Sequence, residues 1–435
     1  MSLFGAMSTA ISGLSAQSAA FGNISDNVAN SQTVGYKRTD TSFESFLTTS
    51  NASVNDSGAV VARPDYVNSV QGTITQTDNP LAMAIAGDGF FPVSQATDNT
   101  SGLPNFDPRN FYTRSGDFSM DRNGYLVNTS GYFLNGWTVN STTGIVNQNQ
   151  LQPVQVNQTV YNPVPTSQMT LAANLPATPA TGATLSSQVN VYDAVGQVHT
   201  VTLNWAQNAS NDWTVTVNSP DDTVSALRGT AQVMFGAASG NGVTEGTIGS
   251  LGAATGSVIG STFAANTGAT LDFTTDFGSG PQSIQIDIGT FGQANGVTQY
   301  AGTDYSLRGI TQNGVAPGAF SGITTRQNGD VVVNYDNGQS RTVARVPIVT
   351  FNSPDSLQRQ DGGAFTVTQA SGLAMAQNAA SNGAGSLVVS SIEKSNVDIA
   401  NEFSKLIVAQ RAYSANTKMV TTADEFLQQT IDMKR

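Results

Sequence analysis

In NVDIANEFSKLIVAQRAYSANTKMVTTADEFLQQTIDMKR, which runs from Asn396 to Arg435, apolar residues return every seven positions at Ile399, Leu406, Tyr413, Val420 and Leu427. Phe403, Ile407, Met419, Phe426 and Ile431 widen the stripe. This spacing predicts a long amphipathic helix. Ser395 and Asp398 predict its start as a capping box, with Ser395 accepting from a free backbone N–H and Asp398 in the positive first turn. No Gly or Pro interrupts the helix from there to the end of the chain. At ~1.5 Å per residue the helix would reach roughly 55 Å, more than a small domain needs to cover its own core. The second seam, read at Phe403, Gln410, Thr417, Asp424 and Ile431, is polar at its three central places, where a dimeric coiled coil takes apolar side chains. Taken alone, the stretch is a terminal helix docked on its own domain.

The other end of the chain changes that reading. Met7, Leu14, Phe21 and Val28 are again seven apart, flanked by Leu3, Phe4, Ala10, Ile11 and Ile24, with Ser8, Ser12 and Ser15 opposite. The chain therefore begins and ends with amphipathic helices. Residues 1–25 carry no charge, and the first basic residue is Lys37. A solvated helix face is usually charged, so this helix is expected to meet protein on more than one side. A secretory signal needs a basic leading region, which is missing, and Ser12, Gly13, Ser15, Gln17 and Ser18 interrupt any run long enough to span a bilayer. Neither a cleaved signal nor membrane insertion is expected. In Asn27-Val28-Ala29-Asn30-Ser31-Gln32-Thr33-Val34-Gly35-Tyr36-Lys37-Arg38 the helix stops, with Gly35 placed to supply a positive φ for a turn.

Composition narrows the function classes. The 435 residues suffice for two to four domains. Charged residues make up 11%, less than half the usual share, while Gly, Ser, Thr and Asn abound, as in many extracellular β proteins. Cysteine is absent, which removes disulfides, thiol chemistry and thiolate zinc sites. The net charge is −12 and no Lys/Arg cluster breaks it, so nucleic acid is not an expected partner.

Between the ends the pattern is β. Leu81–Val93, Phe111–Met120, Tyr125–Trp137 and Ile145–Val156 read as strands around recurring glycine–aromatic pairs. Gln188–Tyr192, Val198–Trp205 and Trp213–Val217 alternate apolar and polar residues, and Leu271–Phe277 and Ile284–Ile288 complete a second sheet. Residues 229–270, rich in Gly, Ala, Ser and Thr, resemble a loose insertion on it. Gly329–Gly338 reads as strand plus hairpin turn, and Val343–Phe351 as a strand. The fold class expected is mostly β with long terminal α-helices that pair at one end, and nested β domains between them. The layout is 1–30 with 396–435 as the helical domain, 31–70 with 370–395 as linkers, 71–150 with 304–369 as the first β domain, and 151–303 as an inserted outer β domain.

No catalytic, metal or cofactor constellation is predicted. His199, the single histidine, reads as a half-exposed strand residue without a positioned nucleophile. Gly87-Asp88-Gly89 lacks the third glycine and the helix of a dinucleotide loop. Asp117, Ser119 and Asp121 have calcium-loop spacing, but Arg122 stands where glycine is required.

Taken together, the two ends resemble the terminal signatures of the bacterial flagellar axial family of rod, hook and junction proteins. The resemblance rests on Asn27, Asn30, Thr33, Gly35, Tyr36 and Lys37 at one end and on Asn396, Asp398, Gln410 and Arg411 within Ile407–Tyr413 at the other. Ala86-Gly87-Asp88-Gly89-Phe90-Phe91, Tyr112–Phe118, Thr311–Gly314 and Thr368–Gly372 resemble segments of the hook branch, as does the size of the central insertion. The resemblance implies a structural subunit, not an enzyme, and no cofactor. It implies a homopolymer in which the terminal helices form inner tubes around a channel, a hollow joint that bends while transmitting torque from rod to filament. Rod, hook-cap and hook–filament junction proteins and the flagellar type III export apparatus are the implied partners, outside the cell in the hook. The residues expected to carry association are Met7, Ile11, Leu14, Phe21, Val28, Ile399, Phe403, Leu406, Tyr413, Val420 and Leu427. Two rivals stand beside it: a distal rod or junction protein of the same family, and a secreted β-rich adhesin.

Overall fold

The computed structural model describes residues 3–50, 55–98, 104–140, 143–180 and 184–433. Two helices enclose a β chain: α1 (Leu3–Ala29) and α2 (Ile399–Asp432). The outermost expected helix residues, Met1, Ser2, Lys434 and Arg435, lie outside the described residues, as do the side chains of Leu3 and Phe4. No helix among the described residues is long and apolar enough to cross a membrane.

The chain divides into two compact units. The first comprises Met1–Gln158, Ser321–Asn334 and Ser340–Arg435; the second comprises Thr159–Phe320 and Tyr335–Gln339. The second unit is larger at its C-terminal side than the expected 151–303, because strand Ser306–Gln312 runs antiparallel to Gln168–Pro176 and closes its sheet.

In the first unit the stretch expected as a linker, 31–70, is a hairpin of β1 (Thr39–Ser50) and β2 (Asn55–Tyr66), in register from Thr39 opposite Tyr66. It orders because α1 packs along it, chiefly on β2. The second expected linker, 370–395, is likewise drawn into strands. Met375–Gln377 pairs with Ile348–Thr350, Ser386–Val389 with Met83–Ala86, and Ser391–Glu393 with Ile74–Gln76. The return of the chain thus laces onto its outgoing half by backbone hydrogen bonds, which small polar residues supply as well as apolar ones. The main sheet runs in the order Phe320–Thr325, Asp330–Tyr335, Ser340–Arg345, Tyr132–Val139, Phe91–Asp98, Phe111–Thr113, Ala364–Thr366 and Gln358–Gln360. Aromatic side chains fill its face, among them Phe90 edge-on to Phe365 and Phe91 edge-on to Phe118.

The second unit is a β-sandwich. One sheet is the meander Leu185–Tyr192, Val198–Ala209, Asp212–Asn218, Leu227–Phe235 and Ile248–Gly252. The other centres on Gly268–Asp276, Pro281–Thr290 and Gln168–Pro176. Alternate residues point inward, so Val201, Leu203, Trp205, Trp213, Val215 and Val217 meet Leu271, Phe273, Ile284, Ile286 and Ile288 in one core. Residues 229–270 are not a loose insertion: Ala231, Val233, Phe235 and Ile248 are fully buried in that core. His199 is not half-exposed either. It shares the inward parity of Val201 and Leu203, is 5% exposed, and stacks on Phe277 at 3.9 Å. Its ring nitrogens face two carboxylates, Nδ1 at 3.0 Å from Asp221 and Nε2 at 3.6 Å from Asp193.

Candidate functional site: the junction and helix pair of the chain ends

Asn27, the last buried residue of α1, is the hub of a junction that ties both chain ends together. It is fully buried, yet its amide is fully used. Oδ1 accepts from the Thr39 backbone N–H at 2.9 Å and from the Tyr36 hydroxyl at 3.3 Å. Nδ2 donates to the Thr39 carbonyl at 2.9 Å and to Glu402 Oε2 on α2 at 3.0 Å. Lys405, one turn on from Glu402, binds that carboxylate at 2.9 Å and Asp40 at 2.6 Å. Asn396 works from the other side: its Oδ1 accepts from the Arg38 backbone N–H at 2.7 Å, and its Nδ2 donates to the carbonyls of Val67 and Val70.

The remaining motif residues shape the turn out of α1. Asn30 and Thr33 bond each other and the helix end. Gly35 has φ of 68° and donates its N–H to the Glu393 carbonyl at 2.8 Å. A Cβ there would lie 2.5 Å from the Ser115 nitrogen, so only glycine fits. Tyr36 stacks under the Arg359 guanidinium, which also lies 4.7 Å from the ring centre of Tyr66. Burial pushes the Tyr36 hydroxyl above its ordinary range. Lys37 points inward to a buried cluster. Its Nζ is 2.5 Å from Glu393 Oε1, and Arg114 Nη1 is 3.1 Å from Oε2 of the same carboxylate.

Asp398, not Ser395, caps α2. Its carboxylate accepts from the Ala400 and Asn401 backbone N–H groups, while Ser395 Oγ accepts from Val397 N–H, one turn too early for the helix. Gln410 and Arg411 are exposed along α2, away from the junction.

Beyond the junction the helices run antiparallel, with Phe21 edge-on to Tyr413 at 6.3 Å and Gly13 against Asn416. The contact face differs from the expected stripe. On α1 the buried positions are Ala10, Gly13, Ala16, Ala20, Ile24 and Asn27; Met7, Leu14, Phe21 and Val28 flank them half-buried, and Ile11 is exposed. On α2 Glu402, Ala409 and Ala423 are buried and Leu406, Val420 and Leu427 half-buried, whereas Ile399, Phe403 and Tyr413 are exposed. Of the heptad expected from sequence, Leu406, Val420 and Leu427 are half-buried, and the second seam falls three residues on, at Ala409, Asn416 and Ala423, instead of four. Small side chains bring the helices close. A Cβ on Gly13 would lie 2.8 Å from Asn416 Nδ2.

Glu393, Arg114, Arg359 and Glu402 were not singled out as site residues from sequence. Glu393 had a signal: it is the first charged residue after Asp361 and sits immediately before the C-terminal motif. Of Asp117, Ser119 and Asp121, Ser119 lies in the short strand Ser119–Met120, and Asp121 opens a turn, its Oδ1 accepting from the Asn123 and Tyr125 N–H groups. No group of three or more His, Asp or Glu able to hold a metal occurs among the described residues.

Four family profiles match the chain. They are the flagellar basal body rod protein (residues 7–37), the flagellar hook protein FlgE/F/G D1 domain (84–161), the flagellar basal body protein FlaE D2 domain (155–315) and the flagellar basal body rod FlgEFG protein C-terminal (389–433). The flagellar hook protein FlgE of Brucella abortus is 31% identical over the full length of both chains. That of Salmonella typhimurium is 27% identical over 98% of this chain and 99% of its own. A solved Helicobacter pylori flagellar hook protein FlgE2 covers 72% of this chain and 98% of its own at 14% identity, with a TM-score of 0.48. The relatives' identity and end-to-end coverage, together with matched segments at both helices and in both β units, place the chain: it belongs to the flagellar hook protein FlgE family.

Proposed function

We propose that this chain is the self-assembling structural subunit of a bacterial flagellar hook, forming a hollow helical tube that bends while it carries torque from rod to filament. The observation that supports it most is the outward face of α2. Ile399, Phe403, Ile407, Val408, Met419, Phe426 and Ile431 are each 40–67% exposed, while the face toward α1 buries Glu402, Ala409 and Ala423 and holds Leu406, Val420 and Leu427 half-buried beside Asn416. A helix with its most apolar side chains in water is half of an interface. Val408, Met419, Phe426 and Met433 run along one flank, so neighbouring subunits in a tube would cover them. Covering seven half-exposed side chains contributes about 1 kcal/mol each, on the order of 5–10 kcal/mol per subunit before the cost of association.

The tube's ends would meet rod, hook-cap and hook–filament junction proteins, and the subunit would leave the cell by the flagellar type III apparatus. The role is mechanical and not enzymatic. A distal rod subunit is less favoured because the relatives that match from end to end are named flagellar hook proteins. The test is salting out of the full-length protein, followed by electron microscopy, beside a Met419→Ser/Phe426→Ser variant. Both residues are exposed, so the variant should keep the wild-type urea midpoint and lose tubes. Wild-type yields of tubes from the folded variant would overturn the proposal.

A further inference from the structure

Three separate stretches of chain meet on one buried carboxylate. Lys37 follows α1, Glu393 precedes α2, and Arg114 follows strand Phe111–Thr113 of the main sheet. All three side chains are at most 2% exposed. Glu393 Oε1 accepts from Lys37 Nζ at 2.5 Å and from the Gly72 backbone N–H at 2.8 Å, and Oε2 accepts from Arg114 Nη1 at 3.1 Å. Lys37 also donates to the Val70 carbonyl, and Arg114 to those of Ile85 and Gly87. The charge does not balance, because two cations share one anion. Arg359, on strand Gln358–Gln360, adds a further positive field at Lys37. A buried net positive charge is costly, and an arginine cannot shed its proton. Only Lys37 can correct the imbalance.

We propose that Lys37, Glu393 and Arg114 form an alkaline latch, which fastens both chain ends to the β sheet and tightens when Lys37 gives up its proton. Neutral Lys37 still donates to Glu393 and Val70, and the remaining Glu393–Arg114 pair is electrically balanced. Burial, opposed by Glu393 and reinforced by Arg114 and Arg359, pulls the Lys37 ammonium down to about 8. The unfolded chain holds that proton until about pH 10.4, so folding releases a proton between these limits. The penalty is full below pH 8 and is relieved as the pH rises above it. This sign is opposite to that of a lysine whose folded form is held protonated by its partner.

The chain has five lysines, so ¹³Cε-lysine labelling of the full-length monomer gives five resonances. One should titrate near pH 8, well before the others, and should vanish in Lys37→Arg; the wild-type titration stands alone if that variant does not fold. Five resonances moving together above pH 10 would overturn the latch. In parallel, thermal unfolding of wild type and Lys37→Met is followed from pH 7 to 10. The folding equilibrium of wild type should gain on the variant by roughly a hundredfold across that range. A constant difference between the two would also overturn it.

Discussion

Replacing Asn27 by alanine removes four hydrogen bonds at the one point where α1, β1 and α2 converge. The Tyr36 hydroxyl is only half-buried and can turn to water. The Thr39 N–H, the Thr39 carbonyl and one oxygen of Glu402 have no such escape, since Asn27 is fully enclosed. Each buried polar group left without a partner costs about 1–3 kcal/mol. Glu402 keeps Lys405, and the three losses share neighbours, so their sum is discounted to about 3–5 kcal/mol. That is a large part of the roughly 5–15 kcal/mol that holds a domain folded. The assay is urea unfolding of the full-length monomer followed by helical ellipticity, with Glu402→Ala and the double variant completing a cycle. Coupling between Asn27 and Glu402 should exceed about 1 kcal/mol, as for directly bonded buried groups. A loss from Asn27→Ala below about 1 kcal/mol, or additive single and double variants, would refute the view of Asn27 as the hub.

Gly72→Ala should be as damaging as a core truncation, about 2–4 kcal/mol, because its Cβ would lie 1.9 Å from the Lys394 carbonyl oxygen, which is backbone and cannot swing aside. A melting temperature within a degree of wild type would show that strands Ile74–Gln76 and Ser391–Glu393 adjust freely. In the second unit Asp222 should govern acid stability. Burial alone would raise its carboxyl, but the Ser225 N–H, the Thr275 hydroxyl and the Asp276 and Val224 N–H groups hold it down to about 2. Its contribution is therefore present above the usual aspartate range and lost as the pH falls from about 4 through 2; acid unfolding followed by tryptophan fluorescence should lose that dependence in Asp222→Asn, and an unchanged profile would count against it.

The parts of the fold that were legible in sequence are those where side-chain period matches burial. Val201, Leu203 and Trp205 alternate with Thr and Asn, and they line the sandwich as that alternation predicts. His199 has the same parity, so its burial was readable too; as a half-exposed strand residue it was read from its type and not from its position. The hairpin Thr39–Tyr66 was hidden because much of both strands faces solvent. Phe43 and Phe46 are nearly half exposed, and Pro64 sits within a strand that an interior position would not tolerate. Residues 370–395 were hidden because their strands are only three or four residues long and bury polar Ser391 and Glu393 as well as Leu387. In 229–270, by contrast, Ala231, Val233 and Phe235 do alternate with less buried neighbours, a period that the Gly, Ala, Ser and Thr content outweighed. Of the junction, Asn27, Gly35, Lys37 and Asn396 were legible as a motif. Their partners Arg114, Glu393 and Glu402 were not, because the contacts join positions 279 to 375 residues apart.

The helix pair shows why a heptad read from sequence can mislead about what a helix is for. Reading the second seam at four residues makes α2 look like a defective coiled coil, with its polar residues inside. At three residues the seam is Ala409, Asn416 and Ala423, continued back to Glu402, and the facing residues of α1 are Ala20, Gly13 and Ala10. Such a seam permits close approach but buries little apolar area, and each CH₂ withheld forgoes about 0.8 kcal/mol. The register is then set by polar contacts, Asn27 on Glu402 at one end and Asn416 in the space above Gly13 further along. Leu406, Val420 and Leu427 border that seam half-buried, while Phe403, Ile407, Val408, Met419 and Phe426, on the opposite side and the flank, stay exposed. Helices gain most of their stability from a packed face, and α2 keeps its richest face open. A pair built this way fixes its own register through polar contacts, and the apolar side chains it leaves exposed are the ones that the proposed association of subunits would cover.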